Sequence, residues 1–235
     1  MKIKIIANPK KPWAKQVAKQ IKKFLSPAHS IVSHGAQATI CIGGDGTILY
    51  ANYRNRIEGT VLGIGGAKSY ICQLRADNWQ TRLVALLENP EREKIMMLNC
   101  EVGGKKFQAL NDIVIHATRY RVVEMDVTTA NATSSFEGDG IILSSAIGSS
   151  AYAYSAGGVK FKPTERKIIL APICAYKRAF LGALLAENES VSITVGAYCA
   201  FIIDGIFIRK LKSGEIVNVE KGCDMIFFSG VGRND

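Results

Sequence analysis

A short stretch near residue 45 constrains the fold of this chain more than any other part of its sequence. An apolar run that begins at Ala38 stops abruptly at three glycines, which surround one carboxylate, Asp45. This order predicts a buried strand, a tight turn and a helix that starts near Thr47. Glycines let backbone N–H groups approach a phosphate closely, and a helix N-terminus adds partial positive charge. The stretch therefore predicts a strand–turn–helix unit that binds a phosphate.

Asp45 is unusual in such a turn, because a phosphate site favours hydrogen-bond donors over an anion. The carboxylate could bind Mg²⁺ or a hydroxyl group, or it could accept a proton from a substrate. The alternative is a plain glycine-rich turn in which Asp45 caps the helix. The residues of the turn alone leave these interpretations open.

The chain around this turn alternates between strand and helix patterns. Residues 2–7 read as a first strand, and apolar side chains at helical spacing follow from Trp13 to Leu25. A further buried strand is predicted at residues 60–64, and a further helix from Trp79 to the Asn-Pro pair at residues 89–90. This alternation predicts a parallel sheet covered by helices.

From about Glu93 the pattern changes to short alternating strands with turn residues between them. Strands are predicted at residues 94–102, 105–110, 113–116 and 122–130, which is typical of an antiparallel β domain. We therefore predict two domains, an α/β domain over residues 1–92 and a β-rich domain over residues 93–216.

Two polar segments of the β-rich part are candidates for ligand contacts. Asn111 and Asp112 together offer a donor and several acceptors, which suits ribose hydroxyls or an amide, although a polar bulge or turn would look the same. Residues 138–158 are rich in glycine, hydroxyl groups and tyrosine. Their serines could hold phosphate or ribose, and Tyr152 or Tyr154 could stack on a base.

Three segments in this order resemble the NAD kinase family. The Gly-Gly-Asp-Gly-Thr turn is shared by NAD kinases and by diacylglycerol and sphingosine kinases, whereas the segment around Asn111 and the Gly-Ser-Ser-Ala-Tyr segment resemble NAD kinases alone. Ser150 stands where that family usually has Thr. Residues 65–71 depart from the family's Asn-x-Gly pattern. The resemblance implies an N-terminal Rossmann-like α/β domain, a C-terminal antiparallel β-sandwich, and a tail, about residues 217–235, that returns to the first domain.

The resemblance also implies an activity. NAD kinases are transferases that phosphorylate the adenosine ribose 2′-hydroxyl of NAD to make NADP, using ATP, or polyphosphate, with Mg²⁺ or another divalent metal. Asp45 would be the catalytic base, and Gly44 and Gly46 would let donor phosphates approach. No metal site formed by the protein is expected. The family also implies a cytoplasmic homodimer or homotetramer. The NAD contacts it implies are Asn111, Asp112, Asp139, Ser150, Ala151, Tyr152 and Ser155.

Composition narrows the other classes of function. The formal charge of +10 favours an anionic partner, but no nucleic-acid motif is present. The six cysteines are scattered without a Cys-x-x-Cys pair, which argues against zinc and for a cytosolic protein. No signal peptide or membrane-spanning run is visible.

Two alternatives to an NAD kinase are a lipid kinase of the diacylglycerol or sphingosine type and a non-catalytic nucleotide-binding protein. The lipid kinase would share the glycine turn, but it would not account for residues 148–158. The non-catalytic protein would use the positive charge, but it would have no need of Asp45.

Overall fold

The computed structural model describes residues 1–119 and 121–232, which form two compact units. The first unit contains Met1–Ile95 and the segment that starts at Met225, and the second contains Met96–Asp224. The chain leaves the first unit within strand β6 (Arg92–Val102) and returns to it within strand β17 (Ile216–Phe228). None of the helices in the described part of the chain is long and apolar enough to cross a membrane.

The first unit is built on a parallel sheet with the order β2-β1-β3-β4, and the end of β17 pairs with the outer side of β4 at Phe227. A two-residue strand, β5, also pairs with β4. Strand β3 is buried along its whole length, as expected for a central parallel strand that is covered on both faces. The five strands that lie wholly within this unit are β1 (Lys2–Ala7), β2 (Ser30–Ile31), β3 (Ala38–Ile42), β4 (Thr60–Gly65) and β5 (Leu74–Arg75).

Three helices pack on this sheet. Helix α1 (Pro12–Leu25) begins with a proline, which suits the first helical position because that residue's N–H would have no intrahelical partner. Its apolar side chains, Ile21 among them, share a core with α3 (Trp79–Glu88). Helix α2 (Asp45–Tyr53) follows β3 directly. The strand–turn–helix pattern and the parallel sheet predicted from the sequence are thus confirmed.

The second unit consists of two sheets. One contains β10-β9-β14-β17 together with β6 and β7, and the other has the order β13-β12-β11-β8-β15-β16, with antiparallel pairing between its neighbours. The remaining strands are β7 (Lys105–Ala109), β8 (Asp112–Ala117), β9 (Val123–Thr129), β10 (Thr133–Gly138), β11 (Gly140–Ser145), β12 (Lys167–Ile173), β13 (Ala183–Ala186), β14 (Val191–Val195), β15 (Cys199–Ile203) and β16 (Ile206–Leu211).

The two sheets bury a common apolar core. Ile115 and Phe201 contribute from one sheet, and Met125 and Ile193 contribute from the other, all without measurable exposure. Side chains alternate between core and solvent along β14, which is the pattern of a strand with one buried face. The second unit is therefore a β-sandwich, and the predicted fold class, an α/β domain followed by an antiparallel β domain, is confirmed.

Candidate functional site

The glycine turn between β3 and α2 depends on the absence of side chains at its first two positions. Gly43 and Gly44 have φ angles of 142° and 90°, and both donate backbone hydrogen bonds to Ile64 O. A Cβ on Gly43 would collide with side-chain atoms of Asn8 and Thr47. The ammonium of Lys11 donates a hydrogen bond of 2.7 Å to Gly43 O. The fold itself therefore requires the first two glycines.

Gly46 differs from these two glycines, because the fold does not require it. A Cβ at this position would meet no atom within 4 Å, and the residue is exposed on the first turn of α2. Its φ angle lies outside the left-handed region. The missing side chain therefore leaves open space beside Asp45, as close approach of a phosphate would need.

This difference predicts opposite outcomes for two matched substitutions. Gly46→Ala should leave the melting temperature unchanged or slightly higher, because nothing obstructs the new methyl group and alanine favours a helix, but it should weaken binding of a phosphate-bearing ligand about tenfold by narrowing the phosphate approach. Gly43→Ala should lower the melting temperature by several degrees. Thermal unfolding, and calorimetric titration with a nucleoside triphosphate, check this on both variants. A Gly46→Ala protein that binds the triphosphate normally would contradict a role for that space.

Asp45 is the first residue of α2 and is half-buried. Its carboxylate accepts three backbone N–H bonds from the loop after β4: Oδ2 accepts from Tyr70 at 2.7 Å, and Oδ1 accepts from Ile71 at 3.0 Å and Cys72 at 3.2 Å. Since each carboxylate oxygen has two lone pairs, Oδ2 keeps one acceptor position. The carboxylate is thus held rigidly and can still accept one further hydrogen bond.

These contacts answer two questions that the sequence left open. The side chain of Asp45 bonds to the loop after β4 and does not cap α2, whose N-cap residue is Gly44. The loop at residues 65–71, which departs from the family pattern, supplies two of the three donors. Burial, and then the negative charge of Asp45, raises the pKa of the Cys72 thiol, which therefore stays protonated.

A cavity of about 520 Å³ lies beside Gly46 in the first unit. Lys10 and Arg56 bring positive charge to its wall, and Tyr50, which is 52% exposed, brings an aromatic ring. Cations and a ring in one cavity suit an anion that carries a planar group.

Mg²⁺ binds oxygen ligands, and in phosphoryl-transfer sites it commonly uses one or two carboxylates plus substrate phosphates and waters. Over residues 1–119 and 121–232, no cluster of three or more His, Cys, Asp or Glu side chains could hold a metal ion. Asp45 supplies one carboxylate at the turn. This donor set fits a divalent ion that arrives with the phosphate groups of a ligand.

In the second unit, Asn111 lies in the bend between β7 and β8, and Asp112 follows it as the first residue of β8. The Oδ1 atom of Asn111 is buried and has no hydrogen-bond partner among the described residues. Asp112 is 6% exposed, and burial, followed by the nearby charge of Asp204, raises its pKa to about 7. An unpaired buried acceptor and a destabilised carboxylate are costly for a fold, and such groups are common where a ligand supplies the missing partner.

Tyr152 lies near this region, as the charged groups that raise the pKa of its hydroxyl indicate. Its pKa is raised by burial first and then by Cys174, Asp112 and Asp139, so its hydroxyl lies within electrostatic range of these groups. Its side chain is 41% exposed. Between the two tyrosines considered for stacking, Tyr154 already has the ammonium of Lys160 at 3.9 Å from its ring centroid. Tyr152 is therefore the better candidate for contact with a base.

The other predicted contacts lie in two short segments. Asp139 is half-buried between β10 and β11, with its backbone N–H bonded to Ile173 O at 2.9 Å. Ser150 ends a short 3₁₀ helix, and Ser155 bonds back to Ala151 O at 3.4 Å. Ser149 is wholly buried and bonded to Ala146 O, which makes it structural. The structure thus brings Asp112, Asp139 and Tyr152 close to one another. It places Ser150, Ala151 and Ser155 in one short helical segment.

Sequence reasoning missed two kinds of residue. Cys174 lies near the hydroxyl of Tyr152, and no motif in the sequence points to it. The carboxylate of Asp204 is buried, and it accepts a hydrogen bond from the backbone N–H of Asn111. The only sequence signal for Asp204 was the Asp-Gly pair itself, which hairpin geometry explains equally well.

Known proteins resemble this chain in sequence and in fold. Residues 110–227 match the family model of the ATP-NAD kinase C-terminal domain. The NAD kinase of Thermoplasma acidophilum is 27% identical over 220 residues, covering 90% of this chain and 80% of the relative. The NAD kinase of Lachnospira eligens is 30% identical over 174 residues, covering 69% of this chain and 59% of the relative.

Solved structures share the fold at lower identity. An NAD kinase from Archaeoglobus fulgidus in complex with ATP superposes with a TM-score of 0.83 at 20% identity, covering 98% of this chain and 94% of that one. A yeast NADH kinase complexed with NADH gives a TM-score of 0.87 at 17% identity, covering 100% and 84% of the two chains. Because the family model spans half of the sequence, and the first unit carries the expected glycine turn, this chain belongs to the NAD kinase family.

Proposed function

We propose that this protein is an NAD kinase that transfers a phosphoryl group from ATP to the adenosine ribose 2′-hydroxyl of NAD, giving NADP. The observation that carries the proposal is the state of Asp45. Three backbone N–H groups fix its carboxylate, one acceptor position remains on Oδ2, and the open space at Gly46 lies next to it in the chain. A rigid acceptor beside a phosphate-binding turn is what a kinase needs to orient an attacking hydroxyl.

Asp45 acts on the acceptor hydroxyl in this proposal. Oδ2 accepts a hydrogen bond from the 2′-hydroxyl and takes its proton as the oxygen attacks the terminal phosphorus, while the bond from that phosphorus to ADP breaks. Phosphoryl transfer passes through a loose transition state, so orientation of the hydroxyl matters more than the strength of the base. The bonds from residues 70–72 support this role because they prevent the carboxylate from turning away.

The donor side rests on the turn and the cavity beside it. Gly44 and Gly46 let the phosphates approach the N-terminus of α2, and Lys10 and Arg56 offset their charge from the cavity wall. Mg²⁺, when bound, would be held chiefly by these phosphates and by waters, because the one free acceptor position of Asp45 is assigned to the 2′-hydroxyl, and it would supply further charge neutralisation. Polyphosphate carries the same repeating charge and is the alternative donor.

The acceptor side rests on the second unit. Asn111 offers its unpaired Oδ1 as an acceptor for an amide or hydroxyl of the dinucleotide, and Asp112 offers a carboxylate. Tyr152 offers a half-exposed ring and Asp139 a further carboxylate. The small residues Ser150, Ala151 and Ser155 allow the ligand to approach the backbone. We also propose that the protein forms a homodimer or homotetramer in the cytoplasm.

The purified protein should convert NAD to NADP with Mg-ATP, read through a dehydrogenase that accepts only the 2′-phosphorylated dinucleotide. Excess EDTA should abolish the reaction, and added Mg²⁺ should restore it, because unshielded phosphates repel an attacking oxygen. Polyphosphate in place of ATP tests the alternative donor. Absence of NADP with both donors, from folded protein with Mg²⁺ present, would overturn the proposal.

A further inference from the structure

We propose that Asp204 is a positioning residue that fixes the Asn111–Asp112 bend in the geometry needed to bind the dinucleotide. The inference rests on the proposed function, since it assigns NAD as the ligand of that bend. Asp204 lies in the two-residue turn between β15 and β16. It acts through Asn111 and Asp112 and is not itself assigned a contact with the substrate.

Consecutive backbone N–H groups of the bend all donate hydrogen bonds to the carboxylate of Asp204. It is 8% exposed and accepts hydrogen bonds from Leu110 at 2.9 Å, Asn111 at 2.7 Å and Asp112 at 3.1 Å. The backbone N–H of Asp204 bonds in turn to Asp112 O at 2.9 Å. The backbone N–H groups of residues 110–112 therefore all donate to this one carboxylate, and the bend wraps around Asp204.

Hairpin geometry alone does not explain an aspartate at this position. Asp204 and Gly205 have φ angles of 50° and 77°, so both lie in the left-handed region. Asparagine tolerates that region as well as aspartate does, and Asn-Gly is a favoured pair for such turns. Only the carboxylate can accept all three bonds, because one end of an asparagine amide is a donor. An aspartate is therefore required at this position by its bonds to the bend and not by the hairpin turn.

The carbonyl side of the same bend is held by β11. The hydroxyl of Ser145 donates to Leu110 O at 2.5 Å, and its backbone N–H donates to Asn111 O at 2.9 Å. Ser144 adds a hydroxyl bond to Asn111 O at 3.1 Å. The backbone of the bend is thus held from both sides, which leaves the side chains of Asn111 and Asp112 as its variable polar groups.

Asp204 also sets the charge that Asp112 experiences. Burial raises the pKa of Asp204 to about 6, although its three N–H bonds oppose this shift. Its charge in turn raises the pKa of Asp112. Asp112 faces Asp204 from the β15–β16 turn and Tyr152 from the short helix after β11. Removing the charge of Asp204 should therefore lower the pKa of Asp112.

The test substitutes asparagine, which preserves the turn. In Asp204→Asn the amide oxygen can still accept from Asn111 and Asp112, but the amide nitrogen then faces the N–H of Leu110. We expect KM for NAD, and the dissociation constant for NAD measured by calorimetry, to rise about tenfold, while KM for ATP changes little. The melting temperature should fall by a few degrees, because the buried N–H of Leu110 loses its acceptor. The acidic limb of kcat/KM for NAD should shift to lower pH, an effect that loss of packing alone would not produce.

The matched control is Asp126→Asn, which alters a carboxylate on β9 that bonds to Ser135. It should leave both NAD binding and the pH profile unchanged. If Asp204→Asn does not fold, Ser145→Ala loosens the other side of the same bend and should weaken NAD binding in the same direction. Normal NAD binding and an unmoved acidic limb in the folded variants would overturn the inference. Because calorimetry reports NAD binding without turnover, an inactive wild-type protein that still binds NAD would count only against the proposed function.

Discussion

Asp45→Asn is expected to lose about 1000-fold in turnover while NAD binds with nearly unchanged affinity. The substitution removes the negative charge and the basic lone pair of Oδ2, yet an amide oxygen can still accept the bonds from Ile71 and Cys72. The proton of the acceptor hydroxyl would then have no base, although the donor and acceptor could still bind. NADP formation and calorimetric titration with NAD measure the two effects separately.

Because Asp45 is bonded to the loop after β4, this prediction needs a control for the stability of the variant. Because an amide nitrogen would face the N–H of Tyr70, the variant could also loosen residues 70–72, and its melting temperature must be compared with that of the wild type. Asp126→Asn removes a carboxylate from β9 and should retain full turnover. A folded Asp45→Asn protein that keeps more than about a tenth of wild-type turnover would contradict the assignment of Asp45 as the base.

The first unit was predictable from its sequence because its signals are local. Strand β1 was predicted to the residue, since alternating isoleucines that end before an Asn-Pro pair define it. In this case the apolar pattern and the turn residues point to the same structure. Local consistency of this kind is what makes single-sequence prediction succeed.

The missed strands show where local signals fail. Strand β10 has three exposed polar residues before Phe136, and it forms because β9 lies beside it. Residues 216–228 form one continuous strand, β17, although the polar residues and the glycine in its middle have the pattern of a turn. A Cβ on Gly222 would lie 3.0 Å from backbone atoms of Met97 and Leu98, so this glycine permits close approach of β6.

The candidate site also has a part that the sequence predicted and a part that it did not. The residue types that a phosphate or a dinucleotide needs were visible as short motifs, and the glycine turn folds as predicted. The partners of those residues were not visible, because they are distant in sequence. The bond from Asn111 to Asp204 spans 93 positions, and the bond from Tyr70 to Asp45 spans 25. Contacts at such separations are formed by the sheets and have no local signature.

Asn111→Ala is expected to raise the dissociation constant for NAD by about 10- to 100-fold without destabilising the free protein. The Oδ1 atom of Asn111 is buried without a hydrogen-bond partner among the described residues, so in the free protein its desolvation is uncompensated. Removing the amide relieves that cost, which offsets the packing lost with the side chain. A ligand that donates to Oδ1 would lose about 1 to 3 kcal/mol of binding free energy.

A pair of measurements on the same variant separates this role from an ordinary structural one. A structural asparagine lowers the melting temperature when it is replaced and leaves ligand affinity intact, whereas Asn111 should show the reverse. Asn218→Ala is the matched control, because its side chain accepts a bond of 2.7 Å from Ser192 on an exposed part of the same unit and should not alter NAD binding. A fall of several degrees in melting temperature with unchanged NAD affinity would show that Asn111 supports the fold. Weakened binding in Asn111→Ala, set beside preserved binding in Asp45→Asn, would assign dinucleotide recognition to the second unit and the chemical step to the first.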